Sequence, residues 1–140
     1  GSAEIWATLR TLTDSRMDVL QADVKALVQK VEYEDGLDVV IEYHDVFPHC
    51  ENSPEAVEHL MVAMTDESVA FGPGDLPMRG SEDFGRFRSV APSAMFFLGA
   101  GHAVQALHSP DYDFPDELIP IGASVFSRVV LNILGHADKR

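Results

Sequence analysis

The fold prediction rests on residues 14–36, which read DSRMDVLQADVKALVQKVEYEDG. Apolar side chains recur in this stretch at helical spacing and leave charged and amide side chains on the other side, the pattern of a surface helix in a globular protein. Asp14 is a candidate N-cap. Gly36 marks the predicted end, because glycine readily adopts the left-handed conformation that terminates many helices.

Strand-like segments flank this helix on both sides. Residues 4–12 alternate their side chains with a period of two, as in a half-buried strand, and residues 37–47 form a second strand-like run. Strand, helix and strand over so short a distance indicate two strands in one sheet with the helix across its face.

A polar break at residues 48–53 separates this unit from the rest of the chain. Beyond it, Ser53 as N-cap and Pro54 in the first turn predict a helix that extends to Asp66. Residues 94–99 are almost wholly apolar, which is typical of a strand buried on both faces. A long apolar helix is predicted from residue 116 to about 136. The sequence therefore predicts an α/β protein.

Composition argues against several classes of function. Of the 140 residues 46% are hydrophobic, enough for one globular core. The formal net charge of -13 comes from 23 acidic and 10 basic side chains. Because the basic ones form no stripe, we expect no nucleic-acid partner. Polar side chains interrupt the longest apolar stretch, residues 118–134, so no membrane span is expected.

The first residues and the cysteine content predict the cellular context. Gly1 and Ser2 resemble the remnant of a removed tag, and residue 3 then enters a strand-like run without a methionine, so we expect the natural chain to start upstream. Cys50 is the one cysteine and cannot form an intrachain disulfide. With no visible signal peptide, a cytoplasmic protein is expected.

His108 is the candidate metal ligand, in a predicted loop after the apolar run at 94–99. A buried strand delivers the following loop to the carboxyl edge of a sheet, where open α/β folds place their sites. An imidazole binds zinc well, and Asp111 or Asp113 could fix its tautomer. A turn histidine is the simpler alternative, since no HExxH or CxxC motif completes a site.

Other polar positions allow both a chemical and a structural role. Glu82 and Asp83 are adjacent carboxylates that suit acid, base or metal chemistry, whereas Ser81 as an N-cap followed by acids is a purely structural alternative. Arg10 fits a carboxylate bidentately or forms a surface ion pair. Asn52 can donate to a carbonyl oxygen or serve a turn.

Taken together, these motifs resemble the family that contains hippurate hydrolase, auxin-conjugate hydrolases, aminoacylase and glutamate carboxypeptidases. The resemblance covers nearly the whole chain and rests on the order and spacing of its motifs. They are Ala7-Thr8-Leu9-Arg10-Thr11, Phe47-Pro48 with Asn52, Gly80-Ser81-Glu82-Asp83-Phe84, Phe96-Phe97-Leu98-Gly99, and Leu107-His108-Ser109-Pro110 with Asp113-Phe114.

The resemblance implies an architecture. Family members have a two-metal catalytic domain interrupted by an inserted lid or dimerisation domain. Residues 3–50 would then be the second half of a ferredoxin-like lid, built as strand, helix and strand. Residues 51–140 would be the C-terminal segment of the catalytic domain, with the last strand and long helix of a zinc-exopeptidase-like fold.

The resemblance also implies roles for single residues. His108 matches the final metal ligand of the family, Arg10 its substrate-binding arginine on the lid strand, and Asn52 a lid-edge asparagine. Ser81 and Glu82 fall where relatives line the substrate. No catalytic residue is assigned in this chain, because the glutamate that activates the metal-bound water and the other ligands belong to the N-terminal half.

The function implied by the resemblance is that of a metal-dependent amidohydrolase. The whole enzyme would cleave the amide bond of small N-acyl or N-aroyl amino acids with a divalent metal (zinc, manganese or cobalt) and form a homodimer through its lid. The 140-residue chain alone is expected to be inactive. The alternative is a stand-alone dimerisation or interaction module that pairs edge to edge with a second copy.

Overall fold

The structure is a computed structural model that describes residues 1–78, 80 and 82–135. The chain divides into two compact units, the first formed by Gly1–Glu51 with Asp75–Ser89 and the second by Asn52–Gly74 with Val90–Arg140. The regular elements are α1 (Asp14–Asp35), α2 (Pro54–Asp66), a 3-10 helix (Asp83–Ser89) and α3 (Leu118–Leu134). No helix among the described residues combines the length and hydropathy needed to cross a membrane.

Local signals bound helix α1 in the first unit. The Thr13 hydroxyl accepts a hydrogen bond from the Arg16 N–H at 3.4 Å, so Thr13 is the N-cap. Gly36 follows the helix at φ 64, and its N–H donates to the Glu32 carbonyl. The predicted helix and its glycine end are confirmed. The predicted cap Asp14 is wrong, because that carboxylate instead accepts from the His49 N–H at 2.7 Å.

Helices α2 and α3 pack together in the second unit around the buried side chains of Ala63, Met64 and Val125. Phe96 packs against this core, and the centroid of its ring lies 5.5 Å from that of the Phe126 ring. The Ser53 hydroxyl caps α2 by accepting from the Ala56 N–H at 3.3 Å, as predicted. The core is therefore small and helical.

Polar contacts add to the packing of α3 on the end of α2. Arg128 Nε donates to Glu67 Oε1 at 2.6 Å, and the two side chains are 31% and 23% exposed. Asn132 Nδ2 donates to Asp66 Oδ2 at 2.9 Å. Because the first pair is partly shielded from water, it is less screened than an ordinary surface ion pair.

The predicted strands at residues 4–12, 37–47 and 94–99 are not found in the described part of the chain. A strand exists only in a hydrogen-bonded ladder with a partner, and no such backbone ladder joins these described segments. An alternating pattern indicates that a segment can form a strand, but it does not determine which other segment would pair with it. The α/β lid is therefore not confirmed, and of its strand, helix and strand only the helix is present.

Candidate functional site

His108 occupies the left-handed position of a tight turn in the second unit. Its φ is 69°, and the turn is closed by a 3.0 Å hydrogen bond from the Ser109 N–H to the Ala106 carbonyl. Positive φ at the third residue of a turn is typical of type II geometry, which favours glycine. A side chain there costs about 1 kcal/mol, so the turn holds the exposed His108 in a strained backbone conformation.

An open, acidic cavity of about 500 Å3 lies in the same loop region. Its lining includes the carboxylates of Asp111, Asp113, Asp116 and Glu117, but not His108. The predicted hydrogen bond from His108 to Asp111 or Asp113 does not occur among the described residues. No three His, Cys, Asp or Glu side chains of the described residues are placed to hold a metal ion. The cavity is therefore not a metal site by itself.

Asn52 pairs with the backbone N–H and carbonyl of one residue, Met95. Its Nδ2 donates to the Met95 carbonyl and its Oδ1 accepts from the Met95 N–H, both at 2.8 Å. Beside this pair, the Ser53 N–H donates to the Ser93 carbonyl at 2.8 Å. These bonds fix the start of α2 to the run that carries Phe96. Both functional ends of the Asn52 amide are thus engaged within the protein.

Glu82 lies directly before the 3-10 helix in the first unit, and its Oε1 accepts from the Phe84 N–H at 3.4 Å. The Glu82 carboxylate thus accepts a hydrogen bond from a backbone N–H at the start of this helix. This is the capping role that the sequence predicted for Ser81. Ser81, the other predicted substrate contact of this box, lies outside the described residues. The structural and substrate roles of Glu82 both remain compatible with this position.

Arg10 lies on an exposed segment of irregular structure in the first unit. The same segment carries Trp6, whose ring stacks on the His44 ring at 5.9 Å between centroids. Arg10 and Glu82 thus belong to the first unit, whereas Asn52 and His108 belong to the second.

Three charged side chains, Asp14, Glu51 and Arg88, form a cluster with the His49 ring in the first unit that the sequence did not predict. Asp14 Oδ1 lies 2.9 Å from His49 Nδ1, and Arg88 Nη2 lies 3.1 Å from Asp14 Oδ2. Glu51 Oε2 lies 3.4 Å from Arg88 Nη1 and 3.6 Å from His49 Nε2. Asp14 and Arg88 are 74 positions apart, so no local spacing points to their contact.

Two titratable groups in this unit have shifted pKa values. The pKa of Asp14 is lowered, first by the hydrogen bond from the His49 backbone N–H and also by the His49 ring and Arg88, against an opposing effect of burial. The pKa of the Cys50 thiol is raised, first by burial and second by the negative charge of Glu82. A raised pKa disfavours the nucleophilic thiolate form of Cys50.

Comparison with known proteins matches residues 8–132 to the model of a family described as Peptidase family M20/M25/M40. An N-acetyldiaminopimelate deacetylase of Streptococcus thermophilus is 32% identical over 126 residues, which cover 88% of this chain and 33% of the relative. A protein of the same name from Exiguobacterium sibiricum is 26% identical over 136 residues, covering 97% and 34% respectively.

A thermostable carboxypeptidase 1 of Saccharolobus solfataricus is 25% identical over 126 residues, covering 86% of this chain and 32% of the relative. The chain thus spans about a third of the length of the curated relatives that it matches. No solved structure matches the chain significantly.

Proposed function

This chain belongs to the peptidase family M20/M25/M40, and we propose that it is the C-terminal part of a metal-dependent hydrolase of N-acyl or N-aroyl amino acids. The observation that carries the proposal is the family match over residues 8–132, which includes every candidate site residue named from the sequence. Deacetylases of N-acetyldiaminopimelate among the relatives support an N-acylated amino acid as substrate.

The proposed roles follow the chemistry of each group. His108 binds a divalent metal (zinc, manganese or cobalt) in the whole protein, and the strained backbone conformation of its turn supports such a role. Arg10 binds the substrate carboxylate, for which its guanidinium is suited. Glu82 contributes to the polar surroundings of the substrate, and Ser81 is proposed for the same role on the resemblance alone.

Asn52 is proposed for a lid-edge substrate contact on the resemblance alone, and in that role its amide would exchange the two hydrogen bonds that it makes with Met95. A substrate that took this amide would leave the N–H and carbonyl of Met95 to water, since both hydrogen bonds are exposed.

The described residues do not complete a metal site. They supply His108 as one candidate ligand, whereas zinc sites use three or four, and no cluster of three candidate ligands is present among them. The remaining ligands are proposed to lie outside the 140 residues, so no step of the reaction is assigned to this chain. The isolated chain is accordingly expected to hydrolyse no amide.

The test compares the 140-residue chain with a longer protein from the same gene that contains it. Both are assayed against N-acetyldiaminopimelate, other N-acetyl amino acids and hippurate in the presence of zinc, manganese or cobalt, and their bound metal is measured. We expect hydrolysis only by the longer protein. His108→Ala should lower its activity by about 100-fold or more and reduce its metal content.

His102→Ala provides the matched control, since it removes another exposed histidine of the same loop region. It should leave both activity and metal content close to those of the unmodified protein. Hydrolysis by the 140-residue chain at enzymatic rates, or full activity and metal content in His108→Ala, would disprove the proposal.

A homodimer is proposed through the first unit. Its irregular segments expose large apolar side chains, with Ile5 at 91% and Val40 at 80% exposure, and a second copy would remove such surface from water. Light scattering behind size-exclusion chromatography tests this. A concentration-dependent dimer supports it, and a strict monomer at high concentration contradicts it.

A further inference from the structure

The 3-10 helix Asp83–Ser89 approaches the segment 46–51 through a glycine that leaves no room for a side chain. Gly85 is buried, and a Cβ atom at this position would lie 2.5 Å from the Pro48 carbonyl oxygen and 2.8 Å from that of His49. These are backbone atoms, which cannot rotate away as the end of a flexible side chain can. The close approach of the two backbones therefore requires glycine.

Two arginines of the same helix hold it on the same segment. Arg86 Nη2 donates to the Val46 carbonyl at 3.1 Å, and its guanidinium lies 5.9 Å from the centre of the Phe47 ring. Arg88 joins the charged cluster described above through Asp14 and Glu51. The helix is thus held at several points along the segment.

Glu82 comes directly before this helix and is tied to it by the bond from the Phe84 N–H. Any displacement of the helix therefore displaces the Glu82 carboxylate. We infer that Gly85 and Arg86 are positioning residues, which dock the helix on segment 46–51 and thereby fix the place of the Glu82 carboxylate. The inference rests on the proposed function, in which Glu82 contributes to the surroundings of the substrate.

Cys50 provides a reporter for this arrangement. It is the only cysteine of the chain and is exposed, and the partial burial of its thiol together with the charge of Glu82 raises its pKa. Thiolate is the form that reacts with iodoacetamide, so the pH profile of the alkylation rate gives the pKa of Cys50. The measurement needs neither substrate nor metal.

The experiment is a double-mutant cycle between Gly85→Ala and Glu82→Gln in the 140-residue chain. Glu82→Gln removes the negative charge and should raise the alkylation rate below the thiol pKa by roughly twofold, as a screened charge at the surface would. Gly85→Ala changes no charge. It should nevertheless raise the alkylation rate, because it displaces the Glu82 carboxylate. In the Glu82→Gln background the same substitution should raise the rate by a smaller factor, since no charge is left there to displace.

Gly72→Ala is the matched control, since a Cβ atom there meets nothing within 4 Å. It should leave the alkylation profile unchanged. Circular dichroism checks that each variant is folded. Should Gly85→Ala fail to fold, Arg86→Lys takes its place, because it keeps the positive charge and loses the planar fork that contacts the Val46 carbonyl and the Phe47 ring.

The inference is overturned if Gly85→Ala, or Arg86→Lys in its stead, leaves the thiol pKa unchanged. It is also overturned if the shift is the same with and without the Glu82 carboxylate, since Glu82 would then not have moved. A longer protein without amidase activity would refute the proposed function and leave the thiol result intact, so the two failures are distinguishable.

Discussion

The side-chain amide of Asn52 pairs with the backbone carbonyl and N–H of Met95 through two hydrogen bonds of 2.8 Å, one donated and one accepted. The pairing imitates one step of a backbone ladder. It brings together residues 43 positions apart and connects the residue before the α2 cap to the run that covers the small core of the second unit.

Asn52→Ala should destabilise the second unit by about 1 to 2 kcal/mol, because two hydrogen bonds are lost at a partly wet position. Hydrogen exchange of the Met95 amide should become faster, and urea unfolding gives the change in stability. Asn132→Ala is the control, since it removes one bond to an exposed carboxylate. An equal effect of the two substitutions would contradict the role given to the Asn52 pair.

Asp14→Asn should weaken the fold in a pH-dependent way. The folded-state pKa of Asp14 is lowered, so its ionised form stabilises the fold above the unfolded-chain pKa of about 4 and this contribution is lost as the pH falls through the folded-state value. The difference from the unmodified chain should be largest near neutral pH and shrink in acid. Because the Asp14 side chain is 44% exposed, we expect no more than about 1 kcal/mol.

Urea unfolding at a series of pH values measures this difference. Asp18→Asn, an exposed carboxylate on the same helix, is the control and should show a small difference at every pH. A difference for Asp14→Asn that grows as the pH falls would show that the sign is wrong.

Arg128 and Glu67 should be energetically coupled. A double-mutant cycle with Arg128→Gln and Glu67→Gln is expected to give about 1 kcal/mol, because the pair is short and more than half shielded. Lys30 and Glu34 form the control pair, at 3.8 Å and with 66% and 57% exposure, and should give about 0.3 kcal/mol or less. Equal coupling in both pairs would contradict the effect of burial.

Val125→Ala should cost about 2 kcal/mol, since it removes two methyl groups from a side chain that is 0% exposed. Val130→Ala on the same helix, where the side chain is 53% exposed, should cost less than about 1 kcal/mol. Thermal and urea unfolding of both variants measure the ratio. Similar costs would mean that the second unit is not built around Val125.

His108→Gly should be more stable than His108→Ala by about 1 kcal/mol, because only glycine is unstrained at the positive φ of this turn. Both variants lack the imidazole, so the comparison isolates the backbone. At an ordinary position the order is reversed, since glycine has the more flexible unfolded state. An alanine variant as stable as the glycine variant would refute the strained turn.

The helices of this chain were predictable because their ends depend on neighbours in sequence. Ser53 with Pro54 begins α2, and Gly36 follows α1, as their local chemistry predicts. The strands were not predictable in this way. An alternating pattern such as that of residues 4–12 is compatible with a strand, but a strand also needs a partner segment. The cap of α1 shows the same limit, since Asp14 is a good cap by type but is bonded to His49.

The family, the helices and the identity of the candidate groups follow from the sequence alone, because motifs and helix caps are local patterns of residue type. Tertiary structure alone decided what those groups contact. In the folded chain Asn52 pairs with Met95, and Asp14 forms an ion pair with Arg88. Gly85 lies close to the Pro48 carbonyl, and His108 adopts the left-handed conformation in a turn. Such contacts form between residues that lie far apart in the sequence, so the spacing of residues along the chain does not predict them.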